Sequence, residues 1–180
     1  MPRPNPPKLP SEEALYQYAL RALMRRAHSV FEMRQALERR AEEKAAARRV
    51  LQRLKQAGFL DDARYAAQFA RYRAESRRQG RYRIARELRA RGVAQHHIEA
   101  ALAAVFAELD EAALVRQRLA RRLRRVHGPL DRRKLASLYR SLLHAGFSAD
   151  IIRDELRSLS DRADLPETQD FDAADESDER

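Results

Sequence analysis

The sequence lacks cysteine and tryptophan and contains only five glycines in 180 residues. Without cysteine the chain can form no disulfide, no thiolate metal site and no cysteine nucleophile. Its glycines stand singly, so there is no glycine-rich loop of the kind that cradles phosphate groups. No stretch approaches the ~18 consecutive apolar residues of a membrane-spanning helix, and the proline-rich residues 1–10 lack the apolar core of a secretory signal. We therefore expect a soluble, cytoplasmic protein that binds no cofactor.

The charge is unevenly distributed along the chain. Lysine and arginine number 37 against 27 aspartate and glutamate residues, which gives a formal net charge of +10. Residues 161–180 contain nine acidic side chains and two arginines, a net charge of −7, so the other 160 residues carry +17. A body this basic favours an anionic partner. The acidic tail is either a solvated, solubilising end or an intramolecular mimic of a polyanion that competes for the basic body.

Hydrophobic periodicity predicts helices throughout the chain. No proline occurs between Ser11 and Gly128, and each glycine falls between two periodic apolar segments, where it can supply the left-handed residue that ends a helix. The longest period follows the i, i+3, i+4, i+7 pattern and consists of Ile98, Ala101, Leu102, Val105, Phe106 and Leu109. Alternating β-branched runs, which would indicate strands, are absent. The sequence therefore predicts an all-α protein.

Helix starts are marked by short polar side chains. Ser29 and Glu32 have the spacing of a capping box, and Asp61, Asp62 and Ser148 stand directly before apolar periods. Carboxylates at a helix start are stabilised by the helix dipole. We therefore interpret the adjacent aspartates as a helix cap rather than as a catalytic acid and base.

The helical pattern repeats. An acidic-acidic-alanine triplet occurs at residues 12–14, 61–63 and 110–112, a spacing of 49 residues each time, and each interval has room for three helices. We expect three tandem three-helix repeats, about nine helices, which stack into an elongated, curved array because one small repeat buries little apolar surface alone. The predicted division is a disordered leader, three repeats and a disordered acidic tail: residues 1–10, 11–60, 61–109, 110–159 and 160–180.

The five histidines give no indication of a metal site. They are scattered, and the adjacent pair His96 and His97 would point about 100° apart on a helix, which makes a poor chelate. No catalytic or metal-ligating constellation is present in the sequence. We therefore expect a protein that acts by binding and is not an enzyme.

One predicted helix, residues 110–126, is unusually rich in arginine. Its apolar residues fall within one arc of roughly 80° on a helical wheel. Six arginines occupy the rest of its surface: Arg116, Arg118, Arg121, Arg122, Arg124 and Arg125. They form either a solvated face or a surface for an anionic partner. Arginine suits the second role, because its guanidinium makes bidentate contacts with phosphate and carboxylate groups.

Two joined motifs occupy the centre of the chain. The first runs over residues 58–66 (GFLDDARYA), and the second covers residues 77–92. Together they resemble the central signature of the RecX family of recombination regulators. The first repeat fits the family pattern in outline, with Met33 where leucine is usual and Ala41 where glycine is common. The likeness covers residues 11–157 and leaves out the leader and the tail.

The resemblance implies a regulator that binds the RecA recombinase. Members of this family are understood to lie along the helical groove of the filament that RecA forms on single-stranded DNA. There they suppress filament growth, ATP hydrolysis, strand exchange and the coprotease activity of the SOS response. We therefore expect a non-catalytic, monomeric, cytoplasmic protein of DNA repair and recombination. The alternative, from charge alone, is a basic helical protein that binds single- or double-stranded DNA directly.

Twelve arginines are candidates for contact with the partner. They lie in or between the matched motif positions, or in the basic helix: Arg64, Arg77, Arg81, Arg83, Arg86, Arg89, Arg116, Arg118, Arg121, Arg122, Arg124 and Arg125. Of these, Arg81 and Arg89 lie outside the matched positions and depend on charge alone. Arg64 is equally able to pair with a neighbouring acid.

The aromatic residues of the central repeat fall at core spacing. Tyr65, Phe69 and Tyr72 share one helix face, and Ile84 and Leu88 are spaced to pack against a neighbour. Most of the twelve tyrosines and phenylalanines follow such patterns, which argues against base stacking as the main mode of binding.

Overall fold

The computed structural model of the chain describes residues 7–125 and 130–162. Over these residues the chain forms nine α-helices and no strand, apart from one isolated parallel bridge between Leu9 and Ala41. The predicted all-α class is confirmed. The helices are α1 Glu12–Arg25, α2 Val30–Arg40, α3 Lys44–Gln56, α4 Asp62–Glu75, α5 Arg81–Arg89, α6 Gln95–Glu108, α7 Glu111–Leu123, α8 Arg132–His144 and α9 Ala149–Arg162. Within the described ranges, none of them combines the length and apolar character needed to cross a bilayer.

The predicted helix starts are confirmed by their hydrogen bonds. Ser29 and Glu32 form a complete capping box at the start of α2. The Oδ1 atom of Asp61 accepts from the backbone N–H of Arg64 at 3.0 Å, and the Oγ atom of Ser148 accepts from that of Ile151 at 3.3 Å. These bonds satisfy N–H groups that have no partner within the helix. The local sequence thus sets where α2, α4 and α9 begin.

The glycines end helices at three of the predicted positions. Gly58, Gly92 and Gly146 have φ values of 72°, 71° and 89°, in the left-handed region that favours glycine. At Gly80 the prediction is wrong, because the left-handed residue there is Arg78, with φ of 49°. Gly80 is needed for another reason: a Cβ atom at this position would collide with the backbone of Gly146. Gly128 lies outside the described residues.

The chain divides into two compact units. The first unit comprises residues 1–71 and 85–104, and the second comprises residues 72–84 and 105–180, so α4, α5 and α6 each contribute to both. Helices α1, α2 and α3 pack against one another in the first unit, as α7, α8 and α9 do in the second. The division into three repeats stays a prediction.

Each unit has its own apolar core. Fully buried residues of the first unit include Leu15, Met33, Leu37 and Leu54. The core of the second unit is built from α7, α8, α9 and the connection between α8 and α9, and its fully buried members include Val115, Phe147, Ile152 and Leu156. The predicted packing of Tyr65, Ile84 and Leu88 is also confirmed, since all three are buried.

The N-terminal segment contacts the first unit. The backbone N–H of Leu9 donates to the carbonyl of Arg40 at 2.7 Å, and the Nζ atom of Lys8 donates to the carbonyl of Ala41 at 2.9 Å. The remainder of the predicted leader, residues 1–6, and nearly all of the predicted tail, residues 163–180, lie outside the described residues. Both assignments stay predictions there.

Candidate functional site

The twelve candidate arginines are divided between the two units. Arg64, Arg86 and Arg89 belong to the first unit, and the other nine belong to the second. The guanidinium of Arg64 donates to the carbonyl of Gly58 at 2.6 Å, so its partner is a backbone oxygen rather than an acid. Arg89 donates to the side chain of Gln95 at 3.0 Å, and Arg86 is exposed. The first unit therefore brings few of the candidates together.

Helix α7 positions the densest group. Asp110 caps the helix by accepting from the backbone N–H of Ala112 at 2.9 Å, and Val115 and Leu119 are buried in the core of the second unit. The same register turns the arginines away from that core. The helix is shorter than the predicted 110–126, because it ends at Leu123; Arg124 is its C-cap and Arg125 lies in the turn that follows.

Arg118 is anchored at the centre of this group. Its Nη1 atom donates to the carbonyl oxygens of Arg77 and Arg78, at 3.4 and 3.2 Å, in the connection between α4 and α5. Its Nε atom is buried and has no hydrogen-bond partner. Partial burial lowers the pKa of Arg118, and four surrounding arginines, of which Arg122 has the largest effect, lower it further. Positive charge is therefore concentrated here, and arginine remains protonated all the same.

Five arginines line one open groove of about 720 Å³: Arg118, Arg121, Arg122, Arg124 and Arg125. We call this feature the arginine groove. Except for the half-buried Arg118, its members are exposed, and none of the five forms an ion pair with a carboxylate among residues 7–125 and 130–162. Five guanidinium groups without acidic partners repel one another, and an anion that enters the groove relieves that repulsion. The groove therefore concentrates positive charge on an open surface of the second unit.

Three other candidates hold the second unit together instead. Arg116 bridges Asp110 and Glu155, at 2.9 and 2.5 Å, and so ties α7 to α9. Arg81 pairs at 2.8 Å with Glu111, a carboxylate that is only 6% exposed. Arg83 donates to the carbonyl of His144 at 3.1 Å. The side chains of Arg81, Arg83 and Arg116 are therefore already engaged in contacts within the second unit. The sequence alone could not distinguish them from the arginines that line the groove.

Two exposed tyrosines in the second unit were not predicted from the sequence. Tyr72 is 51% exposed, although its spacing places it on the face of Tyr65 and Phe69, and Tyr82 is 61% exposed. The guanidinium of Arg77 lies 5.8 Å from the ring centre of Tyr72. Proteins that bind single-stranded nucleic acid combine a basic groove with aromatic side chains on which bases stack. The exposure of Tyr82 could have been predicted from its neighbours in the sequence, because it lies between Arg81 and Arg83.

The adjacent aspartates of the central motif have structural roles. The backbone N–H of Arg64 lowers the pKa of Asp61 by donating to its carboxylate, as a helix cap requires. Asp62 accepts from the backbone N–H of Val30 at 2.9 Å, a contact 32 residues away along the chain. Over the two described ranges, no three histidine or acidic side chains converge as a metal site would need.

Comparisons with known proteins agree on one family. Residues 16–54 match the model for the first three-helix domain of RecX, and residues 61–102 match the model for the second. The chain is 41% identical to the regulatory protein RecX of Halorhodospira halophila over 143 residues, which is 79% of this chain and 86% of that protein. It is 35% identical to the regulatory protein RecX of Deinococcus radiodurans over 164 residues, 89% of this chain and 76% of the relative.

Solved structures share the same fold. The crystal structure of RecX from Lactobacillus salivarius superposes with a TM-score of 0.68 at 22% identity, covering 83% of this chain and 96% of that one. A second crystal structure, of a regulatory protein RecX, gives a TM-score of 0.66 at 23% identity and covers 79% of this chain.

Proposed function

The chain belongs to the RecX family, and from this membership we propose that it regulates the RecA recombinase by binding the filament that RecA forms on single-stranded DNA. Binding inhibits filament growth, ATP hydrolysis, strand exchange and coprotease activity. The protein acts without catalysis, by contact alone. Membership supports the partner, since the relatives are named regulatory proteins RecX.

The observation that carries the proposal is the arginine groove. Arg121, Arg122, Arg124 and Arg125 are exposed, and within the described part of the chain they pair with no carboxylate. A filament of protein on DNA presents phosphates, and carboxylates on its protein, to which guanidinium groups bind bidentately. We therefore assign the contact with the filament to the second unit.

The test is a titration of RecA's single-strand-dependent ATPase with this protein. We expect inhibition at ratios well below one molecule per RecA protomer, because one molecule that caps or bridges a filament affects many protomers. The variant that carries Arg121→Gln and Arg122→Gln should need about tenfold more protein for the same inhibition, since two charge-assisted contacts are lost.

The matched control removes two arginines from the first unit. Arg49→Gln with Arg53→Gln changes the net charge by the same amount, but these side chains pair with Glu12 and Glu13. This variant should inhibit as the unaltered protein does. Equal loss in both variants would show that overall charge, rather than the groove, determines inhibition, and absence of inhibition by the unaltered protein would contradict the proposal itself.

A second candidate function is direct binding of single-stranded nucleic acid, favoured by the exposed Tyr72 and Tyr82. These rings lie in the unit that contains the arginine groove. Such binding weakens with salt by about 0.7 log units per log unit of salt for each phosphate neutralised, so five groove arginines predict a slope near −3.5. Measuring ATPase inhibition in salt that abolishes binding to naked DNA separates the two functions. Inhibition that persists there supports contact with RecA, and inhibition that disappears supports direct binding.

A further inference from the structure

The arginine groove is uncompensated within the described chain, yet the same chain carries a matching charge. Residues 163–180 contain eight carboxylates and one arginine, a net charge of −7. We propose that this C-terminal segment occupies the arginine groove when no other anionic partner is bound, and that a partner must displace it. The proposal concerns two parts of one molecule, and it stands whether or not RecA is the partner.

The segment starts close enough to reach the groove. Helix α9 ends at Arg162 and packs against α7, where Glu155 and Arg116 form an ion pair at 2.5 Å. With a rise of 1.5 Å per helical residue, Arg162 lies no more than about 40 Å from Arg124, whichever way α9 runs. An extended segment of 18 residues spans about 60 Å. The segment can therefore extend along the groove without any rearrangement of the helices.

The chemistry of the segment fits the groove. Its carboxylates are spread along its whole length: Asp164, Glu167, Asp170, Asp172, Asp175, Glu176, Asp178 and Glu179. Its only cation is the last residue, Arg180, so the segment offers almost no internal partner to its own acids. The groove is the converse, with five guanidinium groups and no paired carboxylate in the part of the chain that the structure describes. Carboxylates and guanidinium groups form bidentate pairs that neither region can form internally.

Covalent attachment makes a weak interaction effective. Each exposed pair contributes little alone, and all are screened by salt. A tethered segment, however, faces the groove at an effective concentration of about 1 mM. If the separate segment binds with a dissociation constant of about 0.1 mM, it occupies the groove roughly nine-tenths of the time and weakens a competing polyanion about tenfold. A partner with denser charge displaces it, because phosphates or a continuous acidic surface make more simultaneous contacts.

A spin label provides a direct test on the full chain. The protein has no cysteine, so Ser177→Cys gives a single attachment site for a nitroxide. At about 50 mM salt we expect the label to broaden the amide NMR signals of residues 118–125. The signals should recover at about 0.5 M salt, where screening acts over roughly 4 Å. Unbroadened signals at residues 118–125 in low salt would overturn the proposal.

A second test measures the affinity of the protein for a fluorescein-labelled oligothymidylate probe, which competes with the segment for the groove. Neutralising the eight acids by Asp→Asn and Glu→Gln substitutions keeps the length of the chain and should raise affinity for the probe about tenfold at low salt. In a protein that also carries Arg121→Gln and Arg122→Gln, the same neutralisation should raise affinity less than about twofold. An equal rise in both backgrounds would mean that the segment repels anions without occupying the groove, and no rise in either would mean that it does not compete at all. RecA is absent from both tests, so their failure is distinct from failure of the proposed function.

Discussion

Three arginines of the first unit and the five arginines of the arginine groove lie on the same kind of helical scaffold, yet their surroundings are opposite. In the first unit Arg26 pairs with Glu32, and Arg49 with Glu12. Arg53 pairs with Glu13 and also lies 3.8 Å from the ring centre of Tyr16. In the arginine groove the charges that act on Arg118 come from other arginines instead, Arg122 and Arg121 among them. What distinguishes the proposed binding surface is therefore the absence of paired carboxylates in the described part of the chain, and not the number of arginines.

The two regions also differ in how their arginines affect the stability of the fold. Arg49 and Arg53 on α3 pair with Glu12 and Glu13 on α1 in the first unit, whereas partial burial, and then repulsion from Arg122, lower the pKa of Arg118 and so oppose its charged form in the second. Residues that weaken the folded state and still remain exposed in a group are typical of a surface selected for binding.

The largest effect is expected from charge reversal. Arg121→Glu with Arg122→Glu should lower affinity for a single-stranded oligonucleotide about 100-fold at low salt, because two favourable contacts become repulsive. The same change should leave the melting temperature equal or higher, since it removes repulsion around Arg118. Fluorescence anisotropy and thermal unfolding measure the two quantities.

Reversal in the first unit should give the opposite pair of results. Arg49→Glu with Arg53→Glu places like charges beside Glu12 and Glu13, so the melting temperature should fall while affinity changes less than about threefold. If both double variants lost affinity equally, the contrast between the two regions would have no functional meaning.

A smaller effect is expected from the exposed rings. Tyr82→Ala should reduce affinity for single-stranded DNA about fivefold to tenfold, which corresponds to the lower end of the ~1–3 kcal/mol for one stacked base. Tyr82→Phe keeps the ring and should bind as before. The stability of the fold should be unchanged by either substitution, because Tyr82 is 61% exposed. A loss in the phenylalanine variant would point to the hydroxyl group and away from stacking.

The smallest effect is on stability alone and comes from the capping box of α2. Burial raises the pKa of Glu32, but hydrogen bonds from Arg26 and from the backbone of Ser29 outweigh it and hold the pKa below its ordinary value of 4.5. A lowered pKa means that the carboxylate stabilises the fold above pH 4.5 and that this contribution is lost as the pH falls below it. Ser29→Ala should cost about 1 kcal/mol of unfolding free energy.

Denaturant unfolding at two pH values checks this prediction. Glu32→Gln should flatten the decrease in stability below pH 4.5, and binding to an oligonucleotide should be the same in all these variants. A change in binding would show that the first unit contributes to the contact surface.

The sequence predicted those features that depend on nearby residues. Capping at Ser29, Asp61 and Ser148 requires only a polar side chain and the N–H three residues later, and both are visible in the sequence. Apolar periods likewise fix which face of α7 enters the core. The left-handed glycines Gly58, Gly92 and Gly146 follow from the ends of helices. Gly80 is not left-handed, and glycine is needed there because of a backbone segment 66 residues away.

The division among the arginines could not be predicted, because it depends on distant partners. Arg116 is neutralised by Glu155, 39 residues along the chain, and Arg81 by Glu111, 30 residues along. Arg118 differs from its neighbours only through carbonyl groups of the connection between α4 and α5. The exposure of Tyr72 has the same origin, since its spacing is that of a core residue. Composition located the basic region, and tertiary contacts determined which of its side chains remain available.

The close approach of Gly80 to Gly146 determines how the second unit can vary through evolution. Gly80 donates to the carbonyl of Ala145 at 2.9 Å, Tyr82 donates to that of Gly146 at 3.0 Å, and a Cβ atom on either glycine would collide with the facing segment. Their contact fixes the turn whose carbonyl groups anchor Arg118. In a mutational scan these two positions should therefore tolerate almost no substitution, although neither offers a side chain to any partner.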